Sequence, residues 1–237
     1  LTREVVNQQP EHIQQFLKET AVLRVLDVEI CNQLRGSADS QEILDHLQTF
    51  GLFVVPLENG GMRYHHLFRD VLINLTSDQE SDELNREAAE IMIRVGDGEE
   101  AVAHLLDAGD FEGAADVVSV LGRELVTDGR LDTLTGWIER LPEQMLTLHP
   151  ILIVYLGHIA RLHSRFDDAL DFYQQAIGLL RASGDNSTLS YALYSQARVY
   201  LDTINPTEAD ALLQEARQLL ETEPEQAPFH NQIFDLL

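Results

Sequence analysis

One cysteine, Cys31, and one lysine, Lys18, occur in the 237 residues. A single thiol excludes an internal disulfide and a cysteine-based metal cluster, and it points to a reducing, cytoplasmic compartment. The lone lysine has no Gly-x-x-x-x-Gly-Lys around it, so the chain carries no phosphate-cradling P-loop and is not expected to hydrolyse ATP by itself. Seven prolines and fourteen glycines are too few for a fibrous or disordered chain. Apolar runs fall short of the about 20 residues that a membrane-spanning helix needs. The start, Leu1-Thr2-Arg3-Glu4, is no signal sequence and lacks an initiator methionine, as expected for a piece of a longer protein. Nor is there a Gly-x-Ser-x-Gly elbow or another catalytic signature, so no enzyme is expected.

What the chain does have is acid. Forty Asp and Glu stand against sixteen Lys and Arg, for a net charge of −24. Residues 1–76 hold six basic and ten acidic side chains, a net of −4, which leaves −20 for residues 77–237. Such a field repels phosphate backbones and anionic lipid, and it disfavours direct nucleic-acid or membrane binding by the C-terminal two thirds. Its plainest role is to keep a long helical surface in solution.

From Glu11 to Leu34 the apolar residues Ile13, Phe16, Leu17, Val22, Leu23, Val28, Ile30 and Leu34 recur at helical spacings, with a break near Arg24 to Asp27, which predicts two helices. A third runs from Ser40, read as its N-cap, through Ile43, Leu47 and Phe50 to Gly51 as C′ glycine. Two β-rich stretches, Leu52 to Leu57 and Met62 to His65, flank Asn59-Gly60 and predict a hairpin. His66 to Leu75 returns to helix, with Leu67, Phe68, Val71, Leu72 and Leu75 on one side. Three helices, a hairpin and a closing helix make a winged-helix-like module. Beyond a polar linker, Thr76 to Asp82, everything reads as helix, with breaks at Gly96 to Gly98, Gly109-Asp110, Gly129, Leu141-Pro142, Pro150, Ser183-Gly184, Asn205-Pro206 and Pro224. Short breaks make neighbouring helices pack antiparallel.

An internal repeat supports this architecture. Gly157, Ala160, Ala169, Tyr173 and Ala176 correspond to Ala197, Tyr200, Ala209, Leu213 and Ala216 at a constant offset of 40 residues. Small residues recur where two helices of a hairpin approach closely, and the spacing is similar to the tetratricopeptide repeat with a loop longer than in the usual unit of about 34 residues. A truncated third copy is expected from Phe229. The expected fold is therefore mainly α: a winged-helix-like module with one small β-hairpin (1–76), a helical arm of antiparallel hairpins (77–145) and an α-α superhelix of tetratricopeptide-like hairpins (146–237).

Three stretches carry a family resemblance. Arg63-Tyr64-His65-His66-Leu67-Phe68-Arg69-Asp70-Val71-Leu72 follows Leu52-Phe53-Val54-Val55-Pro56-Leu57; then come Ala108-Gly109-Asp110-Phe111-Glu112-Gly113-Ala114-Ala115-Asp116 and Leu134-Thr135-Gly136-Trp137-Ile138-Glu139-Arg140-Leu141-Pro142. In order and spacing the chain resembles the large MalT-like, LuxR-type transcriptional regulators, signal-transduction ATPases with numerous domains. That resemblance implies an N-terminal nucleotide-binding module, this winged helix, a helical arm, a tetratricopeptide-like inducer sensor and commonly a C-terminal helix-turn-helix. It also implies ATP or ADP as the whole protein's cofactor, and a role for His65 in contacting the nucleotide phosphate in the intact protein. His66 stands where related ATPases have an acidic partner. An imidazole N–H at a helix start is a good anion donor. The plainer reading has one of the two histidines hydrogen-bonded to the hairpin and the other exposed, because adjacent strand residues point oppositely.

Metal binding is not expected: His65 and His66 are neighbours on extended backbone, and His158 and His163, five apart, do not share a helix face. Trp137, with Leu131, Leu134, Ile138 and Leu141, forms an apolar stripe and reads as core. The first helix of each repeat offers a groove, and Tyr155, His158, Arg161, Tyr191, Tyr194 and Arg198 are its candidate ligand or partner contacts. The function expected is that of a non-catalytic regulatory and sensor segment, whose partners are its own nucleotide-binding module and a small-molecule or protein effector, with self-association in the activated protein. The alternatives are a tetratricopeptide scaffold without a switch, and a DNA-binding winged helix. Glu42 and Asp45, with no Lys or Arg on the third helix, speak against the last.

Overall fold

The computed structural model describes residues 6–51, 53–57 and 61–222, and the chain divides into two compact units between Ala114 and Ala115. The expected turn at Asn59-Gly60, the break at Pro224 and the incomplete repeat from Phe229 lie outside the described residues.

In the first unit, helices α1 (Glu11–Glu19), α2 (Val28–Arg35) and α3 (Ser40–Thr49) precede strands β1 (Val54–Pro56) and β2 (Met62–Tyr64) and helix α4 (His66–Ile73). The strands pair antiparallel with Val55 opposite Arg63, and Leu26 adds a bridge by donating its N–H to the Met62 carbonyl at 2.7 Å. The segment expected only as a break between two helices thus widens the wing. Asp27 next to it caps α2, accepting from the Glu29 and Ile30 amides, and Gly36 closes α2 at φ 60°. Ile13, Phe16, Leu17, Leu44, Leu47, Tyr64, Phe68 and Leu72 fill the core.

Three polar ties hold this module. The Tyr64 and Thr20 hydroxyls meet at 2.7 Å in the core, and because Thr20 also donates to the Phe16 carbonyl, Tyr64 is the donor between them. Arg69 spans from α4 to the turn after α1, donating to the Ala21 and Val22 carbonyls at 2.9 and 2.8 Å. Arg35 lies over the Phe16 ring and pairs with Glu19 and Asp39; its guanidinium and the Ser37 hydroxyl hold the Asp39 carboxyl down at about 2. Tyr64→Phe leaves the buried Thr20 hydroxyl without this donor, and urea denaturation should register a loss of about 1 kcal/mol; no measurable loss would mean that the pair carries nothing.

Three local expectations are corrected. Ser40 is the first residue of α3 rather than its cap: its N–H is taken by the Asn32 side chain and its hydroxyl receives Arg35, while the buried position of Ser40 keeps both from water. Leu67 is 63% exposed, because it stands about 100° around the helix from buried Phe68 and about 140° from buried Leu72. The polar stretch Thr76 to Asp82 is largely helix. Ser77 and Glu80 form a reciprocal capping box that starts α5 (Asp78–Val95), which ends at Gly96 with φ 84°.

Helix α5 packs on α6 (Gly98–Asp107), with Asn85 and His104 as a buried polar pair at 2.8 Å. Arg24, from the winged helix, reaches Glu100 and Asp107 at 3.2 and 3.9 Å, so this hairpin is part of the first unit.

The second unit contains most of α7 (Phe111–Thr127), then α8 (Leu131–Arg140), the short α9 (Glu143–Leu148), α10 (Pro150–Leu162), α11 (Phe166–Ser183), α12 (Asn186–Asp202) and α13 (Pro206–Thr222). Helices α10 with α11 and α12 with α13 are packed hairpins. The break between α10 and α11 carries no Gly or Pro; Ser164 takes the left-handed conformation there at φ 59°, as Ile204 does 40 residues later at the same φ. Leu134 and Ile138 are buried, whereas Trp137 is half-buried.

Candidate functional site

The repeat pattern explains the site's foundation. Gly157 on α10 lies against the ring of Tyr173 from α11, so close that a Cβ there would stand 2.5 Å from the ring. This contact lets Tyr173, fully buried, deliver its hydroxyl to His158 Nδ1 at 3.1 Å. His158 Nε2 lies 3.5 Å from Ser195 Oγ, which donates in turn to the Tyr191 carbonyl at 2.7 Å. Since Ser195 spends its proton on that carbonyl, the chain of donors runs from His158 Nε2 to Ser195 and from Tyr173 to His158 Nδ1. Burial, with Arg161 and Arg198 nearby, pushes the His158 imidazole down to about 3, so it is neutral at physiological pH.

Above this network opens a cavity of about 310 Å³, entirely within the second unit, between α7, α10 and α12. His158 and Arg161 on α10 line it at i and i+3, and Tyr191, Tyr194 and Arg198 on α12 at i, i+3 and i+7; these spacings bring side chains onto one helix face. The Tyr191 and Tyr194 rings stack at 6.5 Å and 15°, and His158 lies 5.4 Å from Tyr191. Arg161 is anchored to Asp202 at 2.8 Å, while its Nε is buried without a hydrogen-bond partner among the described residues. Burial pushes the Tyr191 phenol up to about 12, so its ring is neutral.

Five of the six groove candidates therefore meet in one cavity. Tyr155 does not line it: its ring sits on Gly122 of α7, where a Cβ would stand 2.2 Å away, and its hydroxyl donates to the Ser119 carbonyl at 2.7 Å. Reading the repeat alone left out Arg123, which comes from α7 and completes the cavity. Its signal lay in the sequence as Gly122-Arg123, a small residue beside an arginine on a preceding helix, but nothing along the chain ties it to α10 and α12.

His65 is the N-cap residue of α4 without a side-chain cap; its N–H donates to the Phe53 carbonyl at 2.8 Å. Both His65 and His66 are exposed, with rings stacked at 4.4 Å. The expected opposition of the two side chains fails because β2 ends at Tyr64, so the pair straddles a strand-to-helix junction rather than a pleat. A second opening of about 330 Å³ lies in the first unit between Lys18 and Glu19, Glu80, Glu83 and Glu87, but Glu80 belongs to the capping box and Glu19 to Arg35. Among the described residues no three His, Cys, Asp or Glu side chains gather as a metal site, and no helix is long and apolar enough to cross a membrane.

The fold is thus a winged helix followed by α-helical hairpins. A family model of the MalT winged helix domain matches residues 2–84. The HTH-type transcriptional regulator MalT of Vibrio cholerae is 28% identical over 173 residues, covering 71% of this chain and 19% of that protein; MalT of Cronobacter sakazakii is 26% identical over 225 residues, covering 93% and 25%. The crystal structure of a Signal Transduction ATPase with Numerous Domains (STAND) protein with a tetratricopeptide repeat sensor, from Pyrococcus horikoshii, superposes with a TM-score of 0.72 at 13% identity, over 94% of this chain and 34% of that one. The family match is confined to residues 2–84, the likeness to the STAND structure is one of fold, and the chain spans about a fifth to a quarter of the length of these MalT relatives.

Proposed function

We propose that this chain is the coupling segment of a MalT-like transcriptional regulator and acts by binding rather than catalysis. An effector, small molecule or protein, enters the cavity between α7, α10 and α12. Its binding is relayed through the helical arm (77–145) to the winged helix (1–76), and thence to an ATP-binding module and a DNA-binding domain outside this sequence. The tetratricopeptide-like part (146–237) is the receiver. His65 contacts the nucleotide phosphate in the intact protein, and self-association follows activation. A relay of this kind needs two arrangements with different effector affinity.

The observation that carries the reading is the cavity: buried His158, the largely buried Arg161 side chain and two tyrosine rings converge on one opening in a chain whose winged helix matches the MalT domain model. What supports the role of His65 is its exposed imidazole at the α4 start. In the intact regulator, Tyr194→Ala together with Arg198→Ala should reduce effector-dependent transcription about tenfold or more, the loss of one or two specific contacts, whereas His65→Ala should speed ADP release. An unchanged effector response would sink the relay, and unchanged ADP release the histidine contact. Exposed Val120 and Leu148, at 77% and 65%, favour one rival, a protein-docking scaffold without a switch; their replacement by serine would then abolish partner binding and leave nucleotide release alone.

A further inference from the structure

The cavity of the second unit has a charge opposite to that of its surroundings. The chain holds forty acidic and sixteen basic residues, yet the cavity lining contains three arginines, Arg123, Arg161 and Arg198, and no carboxylate. Asp202, which anchors Arg161, does so from outside the lining. Arg161 is largely buried, at 12% side-chain exposure, and keeps its Nε inside without a hydrogen-bond partner among the described residues, a donor directed into protein rather than water. Arg198 is exposed at the rim and Arg123 half-buried. Three guanidinium groups from three helices line one opening that no carboxylate lines, with Asp202 reaching Arg161 from outside it. An oxyanion among them would accept charge-assisted hydrogen bonds. Beside them the stacked Tyr191 and Tyr194 rings form a flat wall against which a ring or other apolar face can lie.

We propose that the effector of this cavity is a small organic anion, whose phosphate or carboxylate lies among Arg123, Arg161 and Arg198 and whose ring or carbon skeleton lies on Tyr191 and Tyr194. The inference rests on the reading of the cavity as the effector site and names its ligand chemistry. The acidic exterior fits this: it excludes polyanions such as nucleic acid, while a small mono- or dianion, screened beyond about 10 Å at ordinary salt, reaches the pocket.

The test uses four probes with the chain, followed by calorimetry or by chemical-shift changes: phenyl phosphate and benzoate carry both features, phenol the ring alone and inorganic phosphate the charge alone. One of the two ring-bearing anions should bind about tenfold tighter than phenol and than inorganic phosphate, and whichever it is assigns the oxyanion as phosphate or carboxylate. Arg198→Ala and Arg123→Ala should each weaken that binding about tenfold, and Arg198→Glu more, with thermal unfolding of the ligand-free variants checking that they fold. Phenol binding as well as the anions, no binding of either ring-bearing anion at millimolar concentration, or affinity indifferent to the arginines would overturn the proposal. The two readings separate cleanly. If anions bind through the arginines while the intact regulator's response ignores Arg198, the relay falls and the anion site stands. A response that depends on Tyr194 and Arg198 without any anion binding leaves the relay and removes the ligand class.

Discussion

Gly157→Ala should destabilise the second unit by about 2 kcal/mol, although alanine is the better helix former. Inside a helix the exchange ordinarily gains about 1 kcal/mol. Here the new Cβ would stand 2.5 Å from the Tyr173 ring, with two further ring atoms at 2.8 Å, and that ring is fully buried and bound to His158 through its hydroxyl. Overpacking against a side chain that cannot move aside costs about 1 to 3 kcal/mol and outweighs the propensity gain. Gly122→Ala should behave alike, because its Cβ would meet Tyr155 at 2.2 Å. Gly136 and Gly178, with nothing within 4 Å of an added Cβ, should gain stability instead as alanines. The second hairpin already contains the compensated pair, Ala197 with Leu213 at the positions of Gly157 and Tyr173. Tyr173→Leu should therefore offset part of the damage, and a double-mutant cycle by urea denaturation should show the two changes together milder than their sum. If Gly157→Ala stabilised as Gly136→Ala does, the close approach of α10 and α11 would be refuted.

Acid should weaken both units across one window. Burial, with Arg24 and Arg69 adding to it, pushes His104 down to about 4, and burial pushes His158 down to about 3. Each ring is neutral in the fold, whereas the unfolded chain takes up its proton near pH 6.5, so the unfolded state binds more protons and stability falls as the pH drops from about 6.5 towards 4. Between pH 7 and 4.5 the loss should be on the order of 2 to 3 kcal/mol for each ring. His104 sits in the first unit and His158 in the second, so the units should lose stability independently. His104 donates Nδ1–H to Asn85 and keeps Nε2 buried without a hydrogen-bond partner among the described residues, so a second proton finds no acceptor among them. His104→Asn should flatten the dependence of the first unit alone. The Asp39 carboxyl, held at about 2 against an ordinary 3.8, acts only below this window. A denaturation midpoint constant from pH 7 to 4.5 would show that neither imidazole is desolvated as described.

The pattern of apolar and small residues along the chain made most of the elements legible. The 40-residue offset identified α10 to α13 as two copies of one hairpin, because Ala169, Ala176, Ala209 and Ala216 are required to be small where helices touch, a local demand that composition records directly. Winged helix and hairpin were legible for the same reason. Local capping was misread at Ser40 and in the polar stretch Thr76 to Asp82, where Ser77-x-x-Glu80 is a readable start signal whose strength depends on a reciprocal hydrogen-bond geometry. Five cavity residues could be chosen from helix-face spacing alone. Tyr155 could not be told from them, since a tyrosine one turn away on the same helix points either into the cavity or onto Gly122 according to where α7 lies.

By itself, then, the sequence determined the helical hairpins and the acidic surface, both of which depend on residue types at short separations. Only the tertiary structure decided that Arg123 joins Arg161 and Arg198 around one opening, that His104 and His158 are held neutral, and that Arg69 and Tyr64 tie the winged helix together. Those facts depend on desolvation and on side chains far apart in the chain meeting within a few ångströms, and neither burial nor proximity is written in the periodicity of a single helix.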